Sequence, residues 1–289
     1  MDTKPYVGRF APSPSGPLHL GSLVAALGSY LQARSHNGQW LVRIEDIDPP
    51  REQPGASSLI LRQLEQFSLY WDQTVCYQSQ RLDSYQQFID QCLQDHKAYF
   101  CQCSRKQIKA DGGYYLGHCR HKQPKQGDLA TRLMTDHPIY QFQDGLYGKV
   151  SITQALAEED FIIQRRDGLY AYNLAVSLDD YQQGITEVVR GADLIFTTGR
   201  QLSIFKLLKQ PAPRYLHLPL VYDAQGHKLS KQNHAPSISG KQAQQLLLHA
   251  LGFLGQTVET GWIELSCEQI LTEAVINWQL KTIPKTALR

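Results

Sequence analysis

The chain has no apolar run approaching the roughly 18–20 residues that a membrane span requires. Its opening, MDTKPYVGRF, lacks the basic-then-apolar pattern of an export signal. Net charge is slight: 29 Lys and Arg against 27 Asp and Glu leave +2, which neither demands nor forbids a nucleic-acid partner. No internal repeat, no long disordered linker and no G-x-G-x-x-G fingerprint is present. Six cysteines in 289 residues do not make a disulfide framework. These absences argue against an integral membrane protein, a repeat array and a disulfide scaffold. A cytoplasmic location is the default expectation. What remains is a composition of 42% hydrophobic and 19% charged residues, that of a globular protein able to bury a large core in one or two domains.

The turn chemistry sits close to the N-terminus. RFAPSPSGPLHLGS, starting at Arg9, packs three prolines and two glycines between two apolar segments. Tyr6, Val7 and Phe10 read as the end of a buried strand. Leu20, Leu23, Val24, Leu27, Tyr30 and Leu31 recur at helical spacing. A Pro- and Ser-rich stretch is often a plain loop. Strand, tight loop and helix in that order are also the phosphate-binding geometry of a doubly wound α/β domain. Small residues let the backbone approach a ligand, and amides at a helix N-terminus attract anions. His19 and Ser22 then fall in the first helical turn.

Further along, Trp40–Ile44 reads as a second strand running into RIEDIDPPRE, where Asp48 before Pro49 reads as a helix cap. Leu59, Leu61, Leu64, Phe67 and Leu69 predict a helix, and Leu82–His96 another. From Tyr99 to about Glu159 the α/β alternation gives way to clustered cysteines, Gly112-Gly113 and short strand-like pieces such as Ile139–Phe142, so this segment reads as an insertion. Core pieces resume at Phe161–Ile163, YAYNLAVSLDDY and ITEVVRGADL, and Tyr215–Tyr222 reads as a strand. Beyond Pro236 two apolar helical faces follow, one from Ala243 to Leu254 and one from Ile270 to Trp278.

Two clusters carry further chemistry. In HKLSKQ, Lys228 and Lys231 stand three apart after a strand. They form either a solvated basic turn or, at the carboxyl end of that strand, a pair that joins His19 in stabilising a transferring phosphoryl group. In CQCSRKQIKADGGYYLGHC, Cys101, Cys103 and Cys119 offer three thiolates of the four ligands a structural zinc takes, with His118 and His121 as ordinary candidates for the fourth place. Cys76, Cys92 and Cys267 read as small buried hydrophobes. Arg105, Lys106, Lys109, Lys122 and Lys125 surround the thiol segment and suit either RNA phosphates or a solvated face.

PSGPLHLGS resembles the HIGH signature and KLSKQ the KMSKS signature of class I aminoacyl-tRNA synthetases. With LVRIEDIDPPR and EVVRGADL, the resemblance narrows to the glutamyl/glutaminyl branch and covers roughly residues 5–235. The tail stops at 289, so no anticodon-binding region is expected. The short form resembles the glutamyl-queuosine tRNA(Asp) synthetase family.

That resemblance implies a Rossmann-like α/β catalytic domain over 1–235, with a zinc-carrying insertion over 99–160 and a helical subdomain over 236–289. It implies activation of L-glutamate by ATP with Mg²⁺ and without tRNA, then transfer to the queuosine base of tRNA(Asp), by a monomer with no membrane partner. Carried over residue by residue, it implies phosphate contacts from His19, Lys228 and Lys231. It further implies a glutamate site of Arg9, Ala11, Ser13, Glu45, Tyr172 and Arg190. The ATP site is then Pro12, His19, Gly21, Ser22 and Lys231, and the zinc ligands Cys101, Cys103, Tyr115 and Cys119. Ser22 stands where the signature has its second histidine, and Leu229 and Gln232 replace its Met and final Ser. A minimal glutamyl-tRNA synthetase charging a 3′ end and an inactive RNA-binding paralogue are the competing expectations.

Overall fold

The computed structural model describes residues 5–122, 124, 128–222, 229, 238, 243–286 and 288. Strands β1 (Val7–Phe10), β2 (Gln39–Ile44) and β3 (Cys76–Tyr77) form a parallel sheet in that order. Parallel pairing needs a long crossover, and helix α1 (Leu20–Ser35) supplies it between β1 and β2. From Trp40 to Ile44 every residue of β2 is buried, the pattern of a strand covered on both faces. Helices α2 (Ala56–Gln66) and α3 (Leu82–Gln94) follow.

The chain then leaves the parallel sheet. Strands β4 (Ala98–Cys101), β5 (Ala130–Leu133) and β8 (Ile162–Gln164) make a separate antiparallel sheet, with the short helix α4 (Arg105–Ala110) between its first two strands. The hairpin of β6 (Gln141–Asp144) and β7 (Gly148–Ser151) goes elsewhere. It joins β10 (Arg214–Leu218), which pairs in parallel with β9 (Glu187–Gly191), in the order β7-β6-β10-β9. The segment read as one insertion over 99–160 therefore divides between two sheets, and its antiparallel part runs on to Gln164, opposite Thr131. Helices α5 (Gln154–Glu158), α6 (Tyr172–Gln182) and α7 (Thr198–Leu207) complete this half.

Thr186 joins the sheet of β1 to the sheet of β9. Its backbone N–H donates to the Val7 carbonyl, and its Oγ1 accepts from the Val7 N–H, each at 2.9 Å. Strand order thus runs outward from β1 to β3 on one side and from β9 to β10 on the other. The β1–β9 junction is the switch point beside which open α/β sheets bind ligands.

One core ties the ends of the chain together. Leu23, Leu27 and Leu31 of α1 pack with Leu247 and Leu251 of α8 (Ala243–Phe253) and Ile270 of α9 (Cys267–Ile276). A buried polar chain follows the same seam. Tyr6 Oη and Gln32 Nε2 both donate to Glu187 Oε2, at 2.9 and 2.7 Å, and Trp278 Nε1 donates to Gln32 Oε1 at 2.8 Å. Close packing of α1 on β10 depends on Gly28, where a Cβ would stand 2.5 Å from Leu218 Cδ1. Among the described residues no helix is long and apolar enough to cross a membrane.

Asp48 differs from its sequence reading. It precedes the 3-10 turn Pro49–Arg51 but makes no side-chain cap bond. Its two carboxylate oxygens accept instead from Arg165 and Arg51, charged donors that outcompete backbone amides.

Candidate active site

The carboxyl ends of β1, β2, β9 and β10 border one open cleft of about 450 Å³. Every described residue that the sequence assigned to glutamate or ATP lines it: Arg9, Ala11, Pro12, Ser13, Glu45, Tyr172 and Arg190, with His19, Gly21 and Ser22. The loop between β1 and α1 is pinned to its neighbours. Pro12 O accepts from Glu45 N–H at 3.0 Å, Pro14 O accepts from Gln53 N–H at 2.9 Å, and Gln63 Oε1 accepts from Leu18 N–H at 2.8 Å.

His19 is the N-cap of α1, and its Nδ1 accepts from Ser22 N–H at 3.2 Å. A neutral imidazole accepting at Nδ1 carries its proton on Nε2. Gly21 makes room for this ring. A Cβ there would meet His19 Cε1 at 3.1 Å and the Leu229 carbonyl at 3.6 Å. Leu229 also lines the cleft, so the LHLGS turn and the KLSKQ stretch meet at Gly21. Lys228 and Lys231 themselves lie outside the described residues.

The charged wall of the cleft is built from buried groups. Arg9 on β1 grips Asp180 with two nitrogens, Nε to Oδ1 at 3.0 Å and Nη2 to Oδ2 at 3.4 Å. Arg43 Nη2 donates to the same Oδ1 at 2.8 Å. Burial by itself raises the pKa of Asp180, but the charges of Arg9 and Arg43 outweigh it and hold the carboxyl below its usual range. Glu45 is 8% exposed, and its Oε1 has no hydrogen-bond partner. Arg43 Nη2 stands 3.5 Å from it. Burial pushes the Glu45 carboxyl up to about 7 against the pull of Arg43 and Arg9. It is a buried acceptor without a hydrogen bond, in a setting where polar atoms are normally bonded.

Arg190 on β9 is held from all sides. Its Nε donates to His217 Nε2 at 3.1 Å, Nη1 to Gln201 Oε1 at 2.9 Å and Nη2 to Thr198 Oγ1 at 2.9 Å. Tyr172 Oη lies 3.3 Å from Nη1, and the Tyr215 ring lies beneath the guanidinium. Asp179, Asp180, Asp144 and His217 were missed by the sequence reading. The one available signal was an acid pair inside the otherwise apolar helix α6.

The thiol cluster forms away from this cleft. The Sγ atoms of Cys101, Cys103 and Cys119 lie within 4.8 Å of one another, with Cys103 and Cys119 3.6 Å apart. All three are free. Tyr115 is buried beside them. Its hydroxyl accepts from Cys119 N–H at 2.7 Å and reaches Cys101, while the Arg132 guanidinium lies 3.7 Å from its ring centre. Burial opposes ionisation of Cys101, but the Arg132 charge and hydrogen bonds lower its pKa. His118 pairs with Asp111 at 2.9 Å. Tetrahedral zinc with thiolates holds its ligand atoms about 3.8 Å apart, so the cluster fits a metal of that type. Of the other cysteines, Cys92 and Cys267 are buried as expected, and Cys76 is half-buried on the short β3.

Residues 6–283 match the family described as tRNA synthetases class I (E and Q), catalytic domain. The glutamyl-Q tRNA(Asp) synthetase of Vibrio cholerae is 58% identical over 281 residues, spanning 97% of this chain and 92% of its own. Its Escherichia coli K12 namesake is 54% identical over 288 residues, spanning 100% and 94%. Among solved structures, a glutamate tRNA ligase from Elizabethkingia meningosepticum in complex with its amino acid shares the fold. It superposes with a TM-score of 0.79 at 23% identity, over 99% of this chain and 67% of that one.

Proposed function

The chain belongs to the catalytic-domain family of class I tRNA synthetases for E and Q, and from that membership we propose that it activates L-glutamate with ATP and passes the glutamyl group to the queuosine base of tRNA(Asp). It is a ligase. The observation that carries the choice of amino acid is the buried Glu45 carboxyl, whose Oε1 makes no hydrogen bond, in a cleft walled by Arg9 and Arg190. Glutamate brings two carboxylates and one ammonium, and two guanidiniums with one carboxylate are its complement.

In this reading Glu45 takes the α-ammonium, and Arg9 and Arg190 face the carboxylates, with Tyr172, Ala11 and Ser13 shaping the pocket. The α-carboxylate attacks the α-phosphorus of ATP and pyrophosphate leaves. The protein supplies orientation and positive charge. Pro12, Gly21 and Ser22 line the phosphate side, His19 donates from Nε2, and Lys228 and Lys231 neutralise the developing charge. Mg²⁺ arriving with ATP adds to that neutralisation. A nucleophile on the queuosine base then attacks the glutamyl carbonyl, and AMP leaves.

Residues 1–235 carry this chemistry, and 236–289 form the helical subdomain that backs it. Cys101, Cys103, Cys119 and the Tyr115 hydroxyl hold zinc, which braces the segment between β4 and β5. The names of relatives at 54–58% identity over nearly full length support the acceptor.

The test is charging with radiolabelled glutamate on tRNA(Asp), with and without queuosine, beside tRNA(Glu). Label confined to queuosine-containing tRNA(Asp) is the expected result. Label on tRNA(Glu) would make it a minimal conventional synthetase. Absence of glutamate-dependent pyrophosphate exchange would leave an inactive paralogue.

A further inference from the structure

Behind Arg190 lies a buried chain that touches no part of the cleft surface. Asp144 ends β6 and His217 sits on β10, and both are at most 1% exposed. Asp144 Oδ2 accepts from His217 Nδ1 at 2.7 Å and from the His217 backbone N–H at 3.1 Å. Its Oδ1 accepts from the backbone N–H groups of Leu146 and Tyr147, each at 2.9 Å. Three backbone N–H groups and the imidazole thus converge on this carboxyl. A guanidinium has donors and no acceptor, and the Arg190 Nε–H points at His217 Nε2. That nitrogen must therefore carry the lone pair, and the imidazole proton must sit on Nδ1, toward Asp144. Burial and the Arg190 charge push the His217 pKa down to about 4, which agrees with a neutral ring.

We infer that Asp144 and His217 are a positioning pair for Arg190: the carboxylate selects the imidazole tautomer, and the imidazole lone pair fixes the rotation of the guanidinium that faces the amino acid. This rests on the reading of Arg190 as a glutamate carboxylate partner. With Thr198 on Nη2 and Gln201 on Nη1, His217 takes the remaining Nε–H, so the guanidinium keeps one orientation before substrate arrives. Neither residue touches substrate. The pair acts on amino-acid affinity and leaves the nucleotide side of the cleft unaffected.

Two substitutions separate this role from plain core packing. Glutamine places its amide near the position of Nε2 and keeps an acceptor for Arg190. Asparagine ends near Nδ1 and keeps only the Asp144 contact. In pyrophosphate exchange, His217→Asn raises the KM for glutamate by about tenfold to hundredfold, the loss of one hydrogen bond to a charged group. Both variants leave the KM for ATP within about twofold, and His217→Gln recovers most of the glutamate affinity. Asp144→Asn follows His217→Asn, because an amide cannot accept from all four donors.

Equal effects of Gln and Asn, or KM values for glutamate and ATP rising together, would overturn the inference. A second readout needs no substrate. In the free protein the Arg190 Nε–H, followed by ¹⁵N NMR, exchanges slowly with solvent in the wild type and in His217→Gln, and faster in His217→Asn. Unchanged exchange in His217→Asn would also overturn it. Should the wild type show no glutamate-dependent activity, the substrate reading fails, while the NMR comparison still decides whether the pair holds Arg190.

Discussion

Glu45 offers a sharp test of the proposed function, because the free protein pays for a buried charge that a substrate ammonium would complement. Its carboxyl titrates at about 7 rather than 4.5, chiefly through burial. Only the ionised form binds an ammonium well. For a group titrating at 7, the ionised fraction falls from about nine-tenths at pH 8 to about one-tenth at pH 6. The KM for glutamate in pyrophosphate exchange at saturating ATP is therefore expected to rise about tenfold across that interval. Glu45→Gln raises the KM at pH 8 and flattens the profile, and its residual slope corrects for titration of substrate and ATP.

Stability follows the same group with the opposite demand. A folded-state pKa raised from 4.5 to about 7 favours the native state below pH 4.5, and this contribution is lost as the pH rises through 7. The shift corresponds to about 3 kcal/mol at pH 8. Glu45→Gln therefore melts above the wild type at pH 8, and the gap closes toward pH 4.5. A wild-type KM that stays flat from pH 8 to 6, or a Gln variant with the same slope, would refute the reasoning.

Two further outcomes follow from packing and from the thiols. Cys101→Ser is expected to lose bound metal, read by atomic emission, and to lower the Tm by about 5 °C or more. Retained metal at one per chain with an unchanged Tm would remove Cys101 from the cluster. Gly28→Ala sets a methyl 2.5 Å from Leu218 Cδ1, far inside van der Waals contact. Overpacking of that kind costs about 1–3 kcal/mol, partly offset by the better helix propensity of Ala, so urea unfolding should show a net loss. Stability at or above wild type would mean that α1 and β10 have slack.

The site was legible where function demands local sequence. The β1–loop–α1 unit is contiguous, and its turn residues announce it. Arg9, Glu45, Tyr172 and Arg190 stand in short motifs, and the fold gathers them into one cleft. The groups that hold those residues were silent, because their meaning depends on pairing across the fold. Arg9 and Asp180 are 171 residues apart, and Asp144 and His217 are 73 apart. A histidine between Leu216 and Leu218 reads as one more strand residue until β6 is brought beside β10. The same limit hid the division of the 99–160 segment, since the pairing of Asp144 with Tyr215 leaves no periodic trace. Asp48 misled because a cap-like position does not show that its carboxylate is taken by Arg51 three residues on and by Arg165 from a distant loop.

The seam along α1 has a consequence for synthesis. Tyr6 and Gln32 meet Glu187, and Gln32 meets Trp278, so the first strand and helix share partners with the middle and the end of the chain. On the ribosome, Leu23, Leu27 and Leu31 emerge early, and the core they join is complete only when α8 and α9 are made. The turn at the head of α1 that lines the cleft thus rests on a helix whose back is completed last. A nascent chain released early presents an apolar stripe suited to chaperones, and competence for the reaction arrives with the final helices.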